Sequence, residues 1–219
     1  MAPEQVRAFR EDYRAQKIPA DYRGWDHLLL TSAICLTIVG LALSRIERLE
    51  WLELLAVPVA WLIANLIEYG VHRGFQHRPR PPLELLYQRH TLEHHRFFTR
   101  EVMAIDHARD FRATLFPIWI GLCFTLPIAG AVALVAGWLL GPDLGLLVHA
   151  ALVFYYLIYE WAHLGAHMPE HSLLGRMPGI AFARKHHGRH HDPRHFGINF
   201  NFAIPIGDWL FRTLERQRH

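Results

Sequence analysis

The segment LGLLVHAALVFYYLIYEWAHLGAH, residues 144–167, decides how this chain is built. Its first part, 144–162, is apolar enough to cross a bilayer as a helix, which takes about 20 such residues, and it closes on His163 and His167. Side chains four apart share a helix face. A membrane span therefore delivers two imidazoles side by side at its own mouth.

Working outward, three more runs approach the same length, at 28–44, 51–69 and 115–140. The second carries Glu53 and Asn65, acceptable near an end or against other helices, and the third is interrupted by Pro117, Pro127 and several glycines. The expected fold is all-α and integral to the membrane, with four transmembrane helices and a cytoplasmic histidine-rich helical cap. Short connections at 45–50 and 141–143 leave room only for hairpins, so residues 1–27, 70–114 and 163–219 share one side. Those stretches hold five, eight and eight Lys or Arg, against two in the opposite turns. By the positive-inside rule the crowded side, with both termini, is cytoplasmic.

Composition narrows the class. With 52% hydrophobic residues the 219-residue chain is not disordered, and the two cysteines, Cys35 and Cys123, sit inside apolar runs. That excludes a disulfide-stapled secreted domain and a cysteine zinc ribbon. A net charge of +3 without a basic stripe of interleaved aromatics gives no reason to expect nucleic acid. Residues 1–27 form an N-terminal amphipathic segment, in which Val6, Phe9 and Tyr13 at helical spacing are expected on the membrane surface, followed by one membrane domain over 28–219. The first 24 residues lack a cleavage site and an uninterrupted apolar core, so no signal peptide is expected.

Seventeen histidines are the unusual feature, and imidazole is the commonest metal ligand. Most fall in four clusters: His72 and His77; His90, His94 and His95; His163 and His167; and His186, His187, His190 and His191. All four lie on the crowded side of the membrane. A structural zinc site closes with four ligands, often thiolate, whereas ten imidazoles suffice for two ions of iron, copper, nickel or zinc, so the cytoplasmic helical cap is expected to hold a dinuclear metal site. His149 lies fourteen residues before His163, about 21 Å along a helix, too far to share those metals. His27, His107 and His219 are expected at the interface or in solvent, and His195 in local contacts, while His171 and His186 stay open as extra ligands.

This pattern, with Asn-Phe and Gly-Asp-Trp-Leu-Phe following the last cluster, resembles the fatty acid hydroxylase / sterol desaturase superfamily over roughly residues 60 to 214. The resemblance implies a membrane di-iron enzyme that uses dioxygen to hydroxylate or desaturate lipids. Its implied metal ligands are His72, His77, His90, His94, His95, His163, His167, His187, His190 and His191. Two departures stand out. The second cluster is H-x3-H-H rather than H-x2-H-H, and on an ideal helix His95 lies about 140° around from His90. The terminal stretch reads Leu-Phe-Arg-Thr where the family often has Leu-Phe-Gly-Thr.

Ligating imidazoles usually give their other N–H to a carboxylate or carbonyl. Glu68, Glu93, Glu160, Asp192 and Asp208 are placed in sequence for that role, and Asn199 for holding a metal-bound water. Phe75, Phe97, Phe98, Phe116, Tyr155, Tyr156 and Tyr159 are candidates to line a lipid passage. The implied partners are a lipid or fatty acyl substrate, the membrane, dioxygen and a separate electron donor, a ferredoxin or small haem carrier, since no G-x-G-x-x-G fingerprint follows a strand. Two iron ions are the expected cofactors, with zinc a substitute in purified material because nitrogen sites bind it more tightly than ferrous iron. Desaturation and carotenoid hydroxylation are alternatives of the same chemistry. A metal transporter would place its site near the bilayer midplane, and a membrane haem protein would need axial histidines deep in facing spans.

Overall fold

The structure, a computed structural model, describes residues 1–202 and 204–215, with the side chains of 123–125 outside that description. The regular elements among the described residues are all helical, with no strand among them. The longer helices are α1 (Pro3–Lys17), α2 (Gly24–Leu43), α3 (Ala56–Val71), α4 (Ile118–Leu140), α5 (Pro142–His167) and α6 (Ile180–His190), followed by the short α7 (Ile206–Leu210). Three helices are long and apolar enough to cross a membrane, at Gly24–Leu43, Trp51–Gln76 and Pro142–His167. A pair at Ala108–Leu122 and Leu126–Leu140, bent by 48°, makes a fourth when counted as one span. The bend lies beside Pro127 inside α4, where a proline removes a hydrogen bond and crowds the preceding turn. The last span outruns the apolar stretch: α5 continues to His167, so both histidines of its closing pair are helical.

The chain divides into two units. One comprises Asp26–Ala64 and Pro117–Glu160, the bulk of the apolar helices. Here Trp61 Nε1 donates to Ala151 O at 3.1 Å. A Cβ on Gly145 would stand 2.7 Å from Ala133 O and 2.8 Å from Gly137 Cα, so glycine lets α4 and α5 approach backbone to backbone. Trp138, Leu134 and Leu140 are exposed, which costs little where lipid replaces water.

The other unit comprises Met1–Trp25, Asn65–Phe116 and Trp161–His219, and it contains all four histidine clusters. α1 opens with a proline at its first position, where no N–H is needed, while Gln5 Oε1 reaches back to Ala2 N. Val6, Arg10 and Tyr13 are buried. Arg10 donates to the carbonyls of Phe97, Val102 and Ala104 and to Asp106. Arg14 grips Asp110 and Asp106. The face of α1 that carries Val6 and Tyr13 thus packs on the protein segment 97–110 rather than being exposed.

A candidate dinuclear metal centre

Helix geometry explains how the first two clusters converge. Residues His72–Gln76 and Gln88–His94 are π-helical, wider turns that recur at functional sites. His77 N bonds to His72 O, and His95 N to His90 O, each five residues back. That spacing brings residues i and i+5 onto one face. His90 Nε2 then stands 3.1 Å from His95 Nε2, and His72 Nε2 3.2 Å from His77 Nε2. The 140° separation of an ideal α-helix is removed, and the extra residue of the second cluster is absorbed by the wider turn.

Two groups result. His72, His77, His90, His95 and His190 have ligand atoms within 4.8 Å of one another, as do those of His94, His163, His167 and His187. His191 joins the second group, its Nε2 3.1 Å from His94 and 2.9 Å from His187. Other Nε2 pairs lie at 2.8 Å (His72, His90), 3.0 Å (His77, His190), 3.2 Å (His94, His163) and 3.1 Å (His167, His187). These separations fit a metal: with bonds of about 2.1 Å, adjacent nitrogens of an octahedral ion sit about 3 Å apart.

Tautomers point the same way. His94, His167, His190 and His191 set Nδ1 against the carbonyls of Ala113, Met103, Ile198 and Phe98, at 2.9, 3.0, 2.8 and 2.7 Å. His72 does the same to Phe200 O. A carbonyl only accepts, so each Nδ1 carries the proton and each Nε2 turns a lone pair inward. Lone pairs converging at such distances are stabilised by a cation at their focus. Burial keeps the rings neutral: it pushes His77 down to about 3, helped by His190, and His190 down to about 4 against the pull of Ile198 O and Asp208. Burial, with neighbouring imidazoles adding to it, also holds His90, His95 and His187 well below the usual imidazole range. Neutral imidazole is the form that binds a metal.

The residues that orient the rings are mostly backbone carbonyls, which a side-chain reading cannot name. Asp208 acts one step further out. Asp208 accepts from Phe200 N and Asn201 N at 2.8 and 2.7 Å and from Thr213 Oγ1 at 2.7 Å. Burial raises its pKa, but the neighbouring His186 ring, 3.7 Å away, and the bonds from Thr213, Asn201 and Phe200 outweigh that and hold it below the usual carboxylate value. Asp208 thereby fixes the loop that presents Phe200 O to His72. Asn65, read from the sequence only as a polar residue tolerated in its span, ties the same loop down: Asn201 Nδ2 donates to its carbonyl, and its side chain bonds Ile204 O and Gly207 N. Asn199, at φ 56° in the left-handed region that asparagine tolerates, donates to His186 O. Glu68 accepts from Phe202 N, and Glu93 from Tyr13 Oη and Arg89. Asp192 binds Arg100 and Arg194, and the fully buried Glu160 pairs with Tyr156.

The remaining histidines stand apart. His186 uses Nε2 on Asn201 O at 2.9 Å, His171 and His195 are exposed, and His107 is exposed beside Asp110. His149 belongs to the other unit, and His219 lies outside the described residues. Among the aromatic candidates, Phe98 packs 4.0 Å from the His167 ring and Phe97 against Tyr13. Phe200 and Phe202, not anticipated, wall the cluster beside His77 and His187.

Residues 57–213 match the model of the family described as "Fatty acid hydroxylase". The fold is similar to the solved structure titled "Full length scs7p (only hydroxylase domain visible)", with a TM-score of 0.59 and 18% identity, covering 89% of this chain and 67% of that one. A stretch of 93 residues is 33% identical to cGMP-specific 3',5'-cyclic phosphodiesterases of Drosophila virilis and Drosophila melanogaster. It covers 42% of this chain and 10% and 8% of theirs, so the chain spans about a tenth of the length of those relatives.

Proposed function

The chain belongs to the fatty acid hydroxylase family, and from that premise we propose that it is a membrane di-iron oxygenase that hydroxylates a lipid or fatty acyl chain with dioxygen and external electrons. The observation that carries this reading is the convergence of two imidazole groups, each with ligand atoms within 4.8 Å. His72, His77, His90, His95 and His190 would hold one ion, and His94, His163, His167 and His187 the other, with His191 beside the second. A bound iron pair supplies the oxidising power that an inert C–H bond demands.

The chain's own residues do the rest. Carbonyls of Phe98, Met103, Ala113, Ile198 and Phe200 fix the tautomers. Burial of nine of the ten rings excludes water. Asp208, Asn199 and Glu68 hold the 199–202 loop in register. The excess of Lys and Arg beside the histidine segments supports a cytoplasmic site.

Metal analysis of the protein purified from iron-supplemented cells tests the centre, with about two ions per chain expected for two groups. Lipid mass spectrometry of membranes with and without the protein tests the reaction. A gain of one oxygen is expected; loss of two hydrogens alone would make it a desaturase, and unchanged lipids with no bound metal would overturn the reading.

A further inference from the structure

Of the ten converging imidazoles, nine are buried and His77 alone is half-buried. Its ring edge lines a cavity of about 350 Å³ together with Arg73, Arg78, Tyr87, Thr91, Phe196 and Phe200. Arg73 donates to Tyr69 Oη at 2.7 Å and lies over the Phe200 ring. Arg78 is exposed. Neither forms an ion pair among the described residues, although Arg14, Arg89, Arg100, Arg189 and Arg194 of the same unit all do. An unneutralised positive rim thus surrounds the point where the histidine centre meets solvent.

We propose that this cavity is the docking site of an acidic one-electron carrier protein, with Arg73 and Arg78 holding its carboxylates and the His77 edge as the point of electron entry. The inference rests on the oxygenase reading above. Hydroxylation of one C–H bond by dioxygen consumes two electrons and two protons, one oxygen atom entering the product and the other leaving as water. A carrier delivering one electron per visit docks twice per turnover and leaves oxidised each time. His77 Nε2 is 3.0 Å from His190 Nε2 and 3.2 Å from His72 Nε2, so a carrier seated on Arg73 and Arg78 abuts a member of the five-histidine group itself. Arginine beside exposed aromatic surface, here Phe196, is also the composition of protein interfaces rather than of small-anion sites.

The test uses the full chain in phosphatidylcholine nanodiscs, with a plant-type [2Fe–2S] ferredoxin and the soluble haem domain of cytochrome b5 as probes. Binding of at least one is expected to weaken with salt, and Arg78→Glu to lower that affinity about tenfold. Arg48→Glu, in the turn of the other unit, is expected to leave it unchanged. Arg73→Gln serves as the second rim variant, and metal content is measured throughout. Absence of binding, Arg78→Glu within twofold of wild type, or an equal loss in Arg48→Glu overturns the proposal. So does loss of co-purifying phosphatidylglycerol in Arg78→Glu without loss of carrier binding, which would make the cavity a lipid headgroup site. A wild-type protein without metal would instead overturn the oxygenase reading.

Discussion

His190 and His187 carry the clearest consequence of the two-group arrangement. His190 faces His77 in the five-membered group, and His187 faces His167 in the other. Replacing either by alanine removes one nitrogen from one group only, so each variant is expected to fall from about two ions per chain towards about one and to lose lipid oxidation while staying in the membrane. His149→Ala is expected to keep its full metal content, because His149 lies in the other unit. Elemental analysis of the three purified variants checks this; retention of both metals by His187→Ala and His190→Ala would remove them from the ligand set. The identity of these residues was legible from spacing, since an α-helix places His163 with His167 and His187 with His191 on one face. The pairing of His90 with His95 was not legible, because it depends on a π-turn, whose register is set by tertiary contacts rather than by local composition. Nor were the orienting groups, since a backbone carbonyl has the same chemistry at every position and only the fold aims Phe98 O at His191.

Helix α1 shows what periodicity leaves undecided. Val6, Phe9 and Tyr13 make an apolar stripe that suits a lipid surface and a protein surface equally, and Arg10, buried among them, is what ties it to protein carbonyls. Tyr13 bonds to Glu93 and Arg89, and burial, with Glu93 adding to it, pushes its hydroxyl up to about 12 from 10.0. Because the folded pKa is raised, the unfolded chain loses this proton first. The stabilisation is therefore complete below pH 10 and is lost as pH rises through about 12, in total about 3 kcal/mol. Thermal unfolding followed from pH 8 to pH 11.5 is expected to show this alkaline decline in the wild type and a shallower one in Tyr13→Phe, which starts lower because it lacks the two hydrogen bonds. Equal slopes in the two proteins would mean that docking of α1 does not depend on Tyr13 ionisation.

The whole chain imposes a parity condition on its membrane crossings. His94, before α4, has its Nε2 3.2 Å from that of His163, near the end of α5, so an even number of crossings separates them. α5 has 26 residues, about 39 Å of helix, and accounts for one. The bent helix α4 is expected to supply the other as a full span, despite Pro127. The turns agree, since Glu47 N and Arg48 N both donate to the Asp143 carboxylate, bringing the hairpin after α2 beside the start of α5. Four crossings would satisfy this condition, whereas hydropathy alone is ambiguous at 115–140 because prolines and glycines there suit a kinked span and a re-entrant loop equally. In a background lacking Cys35 and Cys123, single cysteines at Gln5, Glu101 and His195 are expected to react with a membrane-impermeant maleimide from one side, and those at Glu47 and Pro142 from the other. From the charge asymmetry the first set is expected to react only in inverted vesicles and the second in intact cells. If Pro142→Cys labels with Glu101→Cys, α4 turns back within the bilayer, and the two histidine segments would lie on opposite faces, unable to share one centre.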